Sequence, residues 1–419
     1  MLTTIHYSLT TNLKYWRLYW MQKKTVKDLK GNQLVDKRVL VRVDFNVPLN
    51  NKLEITNDTR IKAALPTINY LISHQAKVIL MSHLGRPKGK VVEKLRLDPV
   101  ARRLSELLKQ DVKKVNDCIG EEVEKAVLNM QKGEVILLEN LRFYPEEEKN
   151  KPEFAKALAN LADIFVNDAF GTAHRAHAST VGVAEILPSY AGFLMAREIE
   201  VLSNLIENPE RPFVVLLGGA KVSGKIEVVQ NLLSIADRIL IAGGMSYTCL
   251  AALGYDVTNL LLEEYDLEIV KKMLKKAEEQ GNKIILPVDL VVTKELSEYA
   301  ESKVVKNEDI PKDVTGADIG DKSIAIFEKE IKKAKTIFWN GPVGIFEIKK
   351  YAKGTNRIAK ILADMEGKAV TIIGGGDSIA AIENAGLTEK MTYISTGGGA
   401  SLEFLGGKKL PGIEVLPEK

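Results

Sequence analysis

Short apolar runs in the first half of the chain each lead directly into charged or hydrogen-bonding residues. These polar segments are Asp44-Phe-Asn46, Ser82-His-Leu-Gly-Arg86, Glu139-Asn-Leu-Arg142 and Asn167 through His177. Arg60 stands in a polar stretch after the first run. Arginine forks match carboxylate and phosphate groups bidentately. Each arginine alone could be an ion-pair residue, but the whole set predicts a site for a small ligand with more than one negative charge.

Glycine takes the same position in the second half of the chain. The glycine segments are Gly218 through Lys225, Gly243-Gly244, Asn340 through Glu347, Gly374 through Ser378 and Gly397 through Ser401. Glycine at a strand-to-helix turn lets backbone N–H groups approach phosphate oxygens, and the helix dipole adds to the attraction. One such turn would fit any tight loop equally well, whereas the repeated pattern predicts a nucleotide site.

Two of these segments carry charged side chains suited to phosphate chemistry. The stretch from Gly219 to Lys225 fits the GxxxxGK pattern, but Ile226 replaces the hydroxyl residue with which a P-loop holds Mg²⁺. We therefore interpret Lys221 and Lys225 as phosphate-directed lysines outside a true P-loop. Asp377 follows three glycines and is a predicted Mg²⁺ ligand, because Mg²⁺ usually takes one or two carboxylates plus substrate phosphates.

Other reaction classes lack their motifs. The sequence contains neither a GxSxG nucleophile elbow nor an HExxH metal motif, and no GxGxxG fingerprint follows the first strand. His174 and His177 have no further histidine or cysteine nearby, so we interpret them as anion-binding or loop-stabilising residues. Cys118 and Cys249 are far apart and indicate neither a disulfide framework nor a zinc site.

The apolar runs predict the strands that position these residues. They are Val39–Val43, Val78–Met81, Val135–Leu138, Ile164–Val166, Phe213–Leu217, Ile239–Ile241, Ile284–Leu286, Thr336–Trp339, Thr371–Ile373 and Tyr393–Ile394. Continuous apolar runs are typical of parallel strands buried on both faces. Helical spacing between them predicts right-handed βαβ units and doubly wound α/β sheets. In such sheets ligands bind beyond the carboxyl ends of the strands, where the polar and glycine segments lie.

The number of strands predicts two domains, because about ten strands exceed a typical open sheet. A candidate divider lies at Pro188 through Gly192, and a helical stretch follows it. The segment Asn208 through Pro212 then interrupts the chain before the next strand. We interpret the stretch between these two breaks as a helix that joins two lobes.

The charge balance excludes some classes of partner. The chain has 59 basic and 55 acidic residues, too even a balance for the single-sign field that nucleic acid or an anionic membrane requires. The sequence has no run of about 18 apolar residues, so it does not predict a membrane span. Met1 to Trp20 contains no acidic residue and no apolar signal-peptide core. We expect a disordered leader or one absent from the mature protein, with a transit peptide as the alternative, and a cytoplasmic protein.

Several long motifs, in order along the chain, resemble the phosphoglycerate kinase family from about Lys24 to Lys419. They are Arg42 through Pro48, Asp58 through Arg60, Ser82 through Pro87, Leu138 through Phe143, Asn167 through Ser179, Gly218 through Lys225, Trp339 through Glu347, Gly374 through Ser378 and Thr396 through Ser401. The resemblance implies reversible phosphoryl transfer between 1,3-bisphosphoglycerate with ADP and 3-phosphoglycerate with ATP, in glycolysis and gluconeogenesis, with Mg²⁺. It also implies a monomer whose two Rossmann-like lobes close about a hinge.

The resemblance assigns roles residue by residue. Phosphoglycerate is expected on Asp44, Asn46, Arg60, His83, Leu84, Gly85, Arg86, Arg142 and Arg175. The nucleotide is expected on Lys225, Gly316, Asn340, Glu347, Gly375, Gly376, Asp377 and Ser378, with Asp377 also holding the metal ion. We expect Arg60 and Lys221 to flank the transferred phosphoryl group. The N–H groups of Gly375 and Gly376 would stabilise its charge.

The resemblance also sets domain boundaries and leaves alternatives. Residues 1–21 are then the leader, 22–190 the phosphoglycerate-binding lobe, 191–406 the nucleotide-binding lobe with the joining helix, and 407–419 a segment that returns to the first lobe. Asp321, Ala242 and Ser246 stand where the family usually has proline, glycine and alanine, and these positions flank the adenosine site. The alternatives are another nucleotide-dependent kinase of small carboxylates and a non-catalytic nucleotide-binding protein on the same fold.

Overall fold

Residues 23–219, 225–257, 260, 267–281 and 283–419 are described by the computed structural model of this chain. The chain divides into two units. Unit 1 runs to Ser203 and includes Lys409–Lys419, and unit 2 is Asn204–Lys408. The sequence-based boundaries lie at 190/191 and 406/407, whereas the first division in the structure falls inside the helix Phe193–Glu207. The predicted leader, residues 1–21, lies outside the described residues.

Unit 1 is built on a parallel sheet of six strands in the order β3-β4-β2-β1-β5-β6. The strands are β1 (Arg38–Arg42), β2 (Lys77–Met81), β3 (Val112–Lys114), β4 (Val135–Leu137), β5 (Ile164–Asn167) and β6 (Ser189–Ala191). The helices are α1 (Thr59–Ser73), α2 (Asp98–Leu108), α3 (Glu121–Leu128), α4 (Pro145–Glu148) and α5 (Pro152–Ala159), and α6 (Phe193–Glu207) contains the division between the units.

Both faces of this sheet are buried. Val39 and Val41 of β1 belong to one apolar core with Ile68 of α1. Leu40, between them, belongs to a second core with Leu158 of α5. Successive side chains of a strand point to opposite faces, so a strand covered on both sides needs an unbroken apolar run. The predicted parallel α/β architecture is confirmed in this unit.

Unit 2 contains a second parallel sheet of six strands, in the order β15-β14-β13-β7-β8-β9. The strands are β7 (Phe213–Leu217), β8 (Arg238–Ile241), β9 (Ile284–Ile285), β13 (Thr336–Asn340), β14 (Val370–Gly374) and β15 (Tyr393–Ile394). The helices are α7 (Ile226–Ile235), α8 (Gly244–Ala252), α9 (Leu267–Glu279), α10 (Asp321–Ile331), α11 (Lys353–Ala363), α12 (Gly376–Asn384) and α13 (Gly399–Leu405). Each of these strands corresponds to a predicted apolar run.

Unit 2 also has a three-stranded antiparallel sheet that the sequence did not predict. Its strands are β10 (Asp289–Thr293), β11 (Ser302–Lys306) and β12 (Thr315–Ile319), in the order β11-β10-β12. Strand β11 is largely exposed and carries two lysines, and β12 contains Gly316 and Asp318. Glycine and aspartate are depleted in strands, so neither segment has the composition of a buried strand.

Two short strands of unit 1 were also missed. Strands β3 and β6 have three residues each, which is too short for a periodic apolar pattern. Strand β6 lies within the segment Pro188 through Gly192 that we predicted as a divider. It pairs in parallel with β5, so this segment is part of the first sheet rather than a linker.

The C-terminal segment packs on unit 1. It includes the short helix α14 (Pro411–Glu414). The N–H of Gly412 donates to the carbonyl of Ala173 at 2.9 Å, and that of Lys24 donates to the carbonyl of Pro417 at 2.9 Å. The buried Lys23 ammonium donates to the carbonyl of Leu416 at 2.7 Å. Among the described helices of both units, none is long and apolar enough to cross a membrane.

Candidate active site

Three neighbouring strands of unit 1 end level with one another. Arg42, the last residue of β1, is in register with Met81 of β2 and with Asn167 of β5. The residues that follow these strands therefore meet at one edge of the sheet, as the parallel arrangement predicts. This edge contains most of the residues predicted to bind phosphoglycerate.

Arg60 reaches this edge from the first turn of α1. Its Nη1 donates to Asp44 Oδ2 at 2.9 Å and to the carbonyl of Asn46 at 3.3 Å. The Asp44 side chain is 7% exposed and that of Arg60 is 31% exposed. The other guanidinium nitrogens of Arg60 have no hydrogen-bond partner among the described residues. Arg60 is therefore oriented by one carboxylate and keeps donors for an anionic ligand.

The loop after β2 is held through its backbone. Asn46 Oδ1 accepts from the N–H of Gly85 at 2.8 Å, and Arg142 Nη1 donates to the Gly85 carbonyl at 2.9 Å. Asn140 donates to the carbonyl of Leu84 at 2.8 Å. Gly85 has a φ of +63°, in the region that favours glycine. Leu84 and Gly85 thus contribute shape to the site, and Asn140 is a supporting residue that the sequence did not reveal.

The cations at this edge perturb one another. Burial, followed by the charge of Arg175, lowers the pKa of Arg142 to about 10. Burial and four neighbouring arginines hold the pKa of His83 well below its usual range. The ring of His174 accepts from Arg175 Nε at 3.0 Å, and burial and that same charge lower the His174 pKa to about 4. Buried like charges are costly, so the arrangement favours a negatively charged ligand.

Arg86 differs from the other predicted arginines because it is exposed. Its side chain makes no hydrogen bond within the part of the chain that the structure describes. His174 Nδ1, by contrast, is buried and lacks a partner there. Buried polar groups are normally hydrogen-bonded, so such an atom marks a place where a ligand or water belongs.

In unit 2 the strands β7, β13 and β14 are neighbours. Asn340, the last residue of β13, is in register with Leu217 of β7 and with Gly374 of β14. The N–H of Gly218 donates to the Asn340 carbonyl at 2.9 Å. A Cβ on Gly218 would come within 2.1 Å of the Pro342 carbonyl oxygen. The close backbone packing at this edge therefore requires glycine.

Helix α12 begins at this same edge. Gly375, directly before it, has a φ of +86°. Ser378 Oγ accepts from the N–H of Gly341 at 2.6 Å, which ties the helix start to the segment after β13. The side-chain nitrogen of Asn340 is buried without a hydrogen-bond partner and would lie 3.1 Å from a Cβ on Gly375. An unpartnered donor beside a helix N-terminus favours an anion such as a phosphate group.

Lys225 and Asp377 flank these turns. Lys225 Nζ donates to the carbonyl of Gly218 at 2.8 Å. Burial lowers the pKa of Lys225, and the charge of Asp377 partly opposes that shift. Asp377 is exposed in the first turn of α12. The predicted catalytic residue Lys221 lies outside the described residues.

The remaining predicted nucleotide contacts are Gly316 and Glu347. Gly316, in β12, is buried against Tyr247, because a Cβ there would come within 2.1 Å of the Tyr247 hydroxyl oxygen. The carbonyl of Ala317 accepts from the N–H of Ile345 at 2.8 Å, which attaches β12 to the segment leading to Glu347. Glu347 itself is exposed. The unpredicted antiparallel sheet thus provides one wall beside the glycine turns.

A family model described as phosphoglycerate kinase matches residues 26–408. This chain belongs to the phosphoglycerate kinase family. It is 58% identical over 399 residues to phosphoglycerate kinase of Dictyoglomus turgidum, covering 95% of this chain and 100% of the relative. It is 54% identical over 399 residues to that of Moorella thermoacetica, with the same coverage. The predicted family resemblance is confirmed.

Solved phosphoglycerate kinase structures have the same fold. That from Coxiella burnetii is 42% identical, with a TM-score of 0.80, covering 94% of this chain and 98% of the other. That from Pyrococcus horikoshii is 36% identical, with a TM-score of 0.80 and the same coverage. The similarity therefore extends over both units.

The residues of this family member fit a metal ion that arrives with the nucleotide. In the described part of the chain, no group of three or more histidine, cysteine, aspartate or glutamate side chains could hold a metal ion. Mg²⁺ typically keeps several waters and takes one or two carboxylates plus substrate phosphates. A single exposed carboxylate, Asp377, at a phosphate-directed helix N-terminus suits that coordination.

Sequence reasoning missed a group of buried residues beneath the edge of unit 1 at which β1, β2 and β5 end. They are Arg42, Glu147 and Ser179, and each is fully buried. Glu147 lies in a run of three glutamates, a composition typical of an exposed helix. Arg42 ends an apolar strand, where an arginine would ordinarily reach solvent. Only tertiary packing brings the three together.

Proposed function

We propose that this chain catalyses the reversible transfer of a phosphoryl group between the carboxyl phosphate of 1,3-bisphosphoglycerate and ADP. The observation that carries the proposal is the cation-rich edge of unit 1, where the charges of Arg60, Arg142 and Arg175 all act on the buried His83. A ligand bearing a phosphate at one end and a carboxyl group at the other would balance those charges. Membership of the phosphoglycerate kinase family supports this choice of ligand.

In unit 1 the proposed ligand lies across the edge formed by β1, β2 and β5. Arg60, Arg142 and Arg175 bind its anionic groups, and the exposed Arg86 folds over it from the loop after β2. Asp44 accepts from the ligand hydroxyl while it orients Arg60. The Leu84–Gly85 backbone shapes the wall, and Asn46 holds that backbone in place through Gly85.

In unit 2 the nucleotide phosphates lie at the turns after β7, β13 and β14. Lys225, Ser378 and the side-chain amide of Asn340 surround them, together with the N–H groups of Gly375 and Gly376. Mg²⁺ enters with the nucleotide as part of the substrate, and Asp377 supplies a protein carboxylate to it. Gly316 and Glu347 contact the nucleoside.

The transfer needs no nucleophile from the protein. A terminal phosphate oxygen of ADP attacks the phosphorus of the acyl phosphate. A P–O bond to ADP forms, and the bond between this phosphorus and the carboxyl oxygen breaks. The carboxylate leaves as 3-phosphoglycerate, and no proton moves. Arg60 and Lys221 flank the transferred phosphoryl group, while the N–H groups at the start of α12 stabilise its charge.

The two substrates bind to different units, so the proposal includes closure. The reacting atoms must come within about 3–3.5 Å of one another. Closure would also exclude water, which would otherwise hydrolyse the acyl phosphate. On the resemblance to the family, the enzyme acts as a monomer in the cytoplasm.

An assay of the full chain tests the function directly. ATP-dependent phosphorylation of 3-phosphoglycerate with Mg²⁺ is coupled to an NADH-consuming dehydrogenase that uses the product. We expect turnover in the parent protein and at least about a 100-fold loss in Asp377→Ala, since the carboxylate at the metal is removed. Asp364→Ala, at another exposed carboxylate of unit 2, is the matched control and should keep parental activity.

Two other results would change the assignment. Binding of ATP without turnover of 3-phosphoglycerate would redirect the search to other small carboxylate acceptors. Equal activity in Asp377→Ala and the parent would remove Asp377 as the metal ligand and leave the reaction itself in place.

A further inference from the structure

The guanidinium group of Arg42 is fully buried at the end of β1. Its Nε donates to Ser179 Oγ at 2.9 Å, and its Nη2 contacts His83 Nδ1 at 3.1 Å. Its Nη1 donates to the carbonyl of Val43. All three of its nitrogens are thus engaged within the protein. Arg42 is therefore in a position to act on the ligand through His83 rather than by direct contact.

The contact between Arg42 and His83 fixes the direction of one hydrogen bond. A guanidinium group carries only N–H donors and cannot accept. His83 Nδ1 must therefore accept with its lone pair, so a neutral ring carries its proton on Nε2. The Nε2 atom has no hydrogen-bond partner among the described residues. The free end of the ring is thus a donor.

A buried carboxylate holds Arg42 in place. Ser179 Oγ accepts from Arg42 and donates to Glu147 Oε1 at 2.6 Å, while the N–H of Ser179 donates to Glu147 Oε2 at 2.9 Å. Burial acts to raise the pKa of Glu147, but hydrogen bonds and the charge of Arg42 outweigh it and leave that pKa lowered. Glu147 therefore remains an anion that balances the buried guanidinium.

We propose that Arg42 is a positioning residue that holds His83 as the neutral Nε2–H tautomer and so presents a fixed hydrogen-bond donor to the anionic substrate. The identity of that substrate rests on the proposed function, whereas the tautomer does not. Ser179 and Glu147 form the support that keeps Arg42 in this orientation. His83 itself remains the residue that touches the ligand.

The surrounding charges keep the ring neutral. The groups that face His83 are Arg42 from β1, Arg60 from α1, Arg142 from the segment after β4, and Arg175 from the loop after β5. Burial and these four cations all act against a second ring proton, and they hold the His83 pKa well below its usual range. Substrate affinity contributed by this ring should then be independent of pH near neutrality.

Nuclear magnetic resonance of the full-length protein tests the tautomer without any turnover. The chain has only 5 histidines, so a long-range ¹H–¹⁵N spectrum of the imidazole nitrogens is sparse. His83→Gln identifies the His83 signals. We expect the Nε2–H pattern for His83 in the parent protein, unchanged between pH 6 and 8. An Nδ1–H pattern, or titration with an ordinary histidine pKa, would overturn the proposal even if the kinase activity were established.

Substitutions at Arg42 test its role. In Arg42→Met the His83 signals should show mixed tautomers, because the donor that engages Nδ1 is gone. The KM for 3-phosphoglycerate should rise about tenfold at pH 8, the scale of one hydrogen bond to a charged group, with kcat changed less than KM. Arg42→Lys keeps a donor-only cation and should restore the parental tautomer.

Control variants separate positioning from folding. Arg38→Met removes the arginine at the other end of the same strand, which pairs with Asp163, and should leave the tautomer and the pH profile unchanged. If Arg42→Met does not fold, Ser179→Ala takes its place, because it breaks the link between Arg42 and Glu147 with a smaller change in volume. We expect mixed His83 tautomers in Ser179→Ala. Retention of the Nε2–H pattern in a folded Arg42→Met would contradict the proposal.

Discussion

The two candidate sites are built from different parts of the polypeptide. In unit 1 the site consists mainly of long charged side chains, some of them held by another side chain, as Asp44 holds Arg60. In unit 2 it consists mainly of backbone at glycine turns, such as Gly218 and Gly375, and of a helix N-terminus. The contrast suits the proposed ligands, because side-chain forks select a small multivalent anion while a row of N–H groups accommodates a phosphate chain.

This contrast predicts different sensitivities to substitution. A site of interlocked side chains should depend on charge, since removal of one partner leaves another buried and unpaired. A site of close backbone turns should depend on the volume and conformation of single residues. A site in unit 1 that responded mainly to residue volume, or a site in unit 2 that responded mainly to side-chain charge, would contradict this difference between the units.

The largest effect is expected at the side-chain site. Arg60→Ala should lower kcat by about 100-fold or more, the scale of losing one donor to transition-state charge. It also leaves Asp44 without its partner at 2.9 Å. Steady-state kinetics with saturating ATP and 3-phosphoglycerate give kcat. Arg103→Ala removes another partly exposed arginine of unit 1, which pairs with Asp58, and is the matched control. A kcat within a factor of two of the parent would remove Arg60 from the mechanism.

A smaller effect is expected from two buried carboxyl groups with raised pKa values, Asp318 in unit 2 and Asp168 in unit 1. Burial is the main cause that raises the pKa of Asp318 in unit 2 to about 7, although the N–H of Gly354 donates to it at 2.6 Å. Burial likewise raises the pKa of Asp168 in unit 1 to about 6. An unfolded aspartate titrates near pH 4. Between pH 4 and 7 native Asp318 therefore keeps a proton that the unfolded chain has lost, so its contribution to stability falls as pH rises.

The variant Asp318→Asn removes this titration. The difference in unfolding free energy between parent and variant should fall by on the order of 2 kcal/mol as pH rises from 5 to 8. Urea unfolding can be followed through Trp339, which is fully buried in unit 2, after Trp16 and Trp20 are replaced by phenylalanine. Asp364→Asn, at an exposed carboxylate of the same unit, is the control and should show no such slope. A difference that does not vary with pH would contradict the raised pKa.

The parallel sheets were predictable because their strands are continuous apolar runs. Phe213–Leu217 is buried at every position, and the sequence shows this directly. The antiparallel sheet was not predictable, since β11 is mostly exposed and β12 contains Gly316 and Asp318. In the structure Tyr247 packs against Gly316, and the N–H of Gly354 at the start of α11 donates to Asp318. Such contacts come from distant parts of the chain and leave no local pattern.

The site was predictable to the extent that its residues follow strands. Asp44, His83 and Asn340 come directly after or at the end of apolar runs, so the rule for ligands at the carboxyl edge found them. Glu147 and Ser179 lie outside that rule, because one is in a helix and the other follows a loop. Their role depends on a hydrogen bond between residues 32 positions apart. The roles of the individual site residues stay predictions until variants are measured.

The smallest expected effect separates backbone from side chain at the nucleotide site. Gly375→Ala places a Cβ at a φ of +86° and 3.1 Å from the Asn340 amide nitrogen. The conformational strain is about 1–2 kcal/mol, and the displaced turn should raise the KM for ATP about tenfold. The KM for 3-phosphoglycerate should stay within about twofold of the parent, because that ligand binds to the other unit. Gly386→Ala has a φ of +66° and open space around its Cβ, so it introduces the same kind of strain outside the site. An equal rise in the KM for ATP in both variants would mean that general strain, not the turn before α12, controls nucleotide binding.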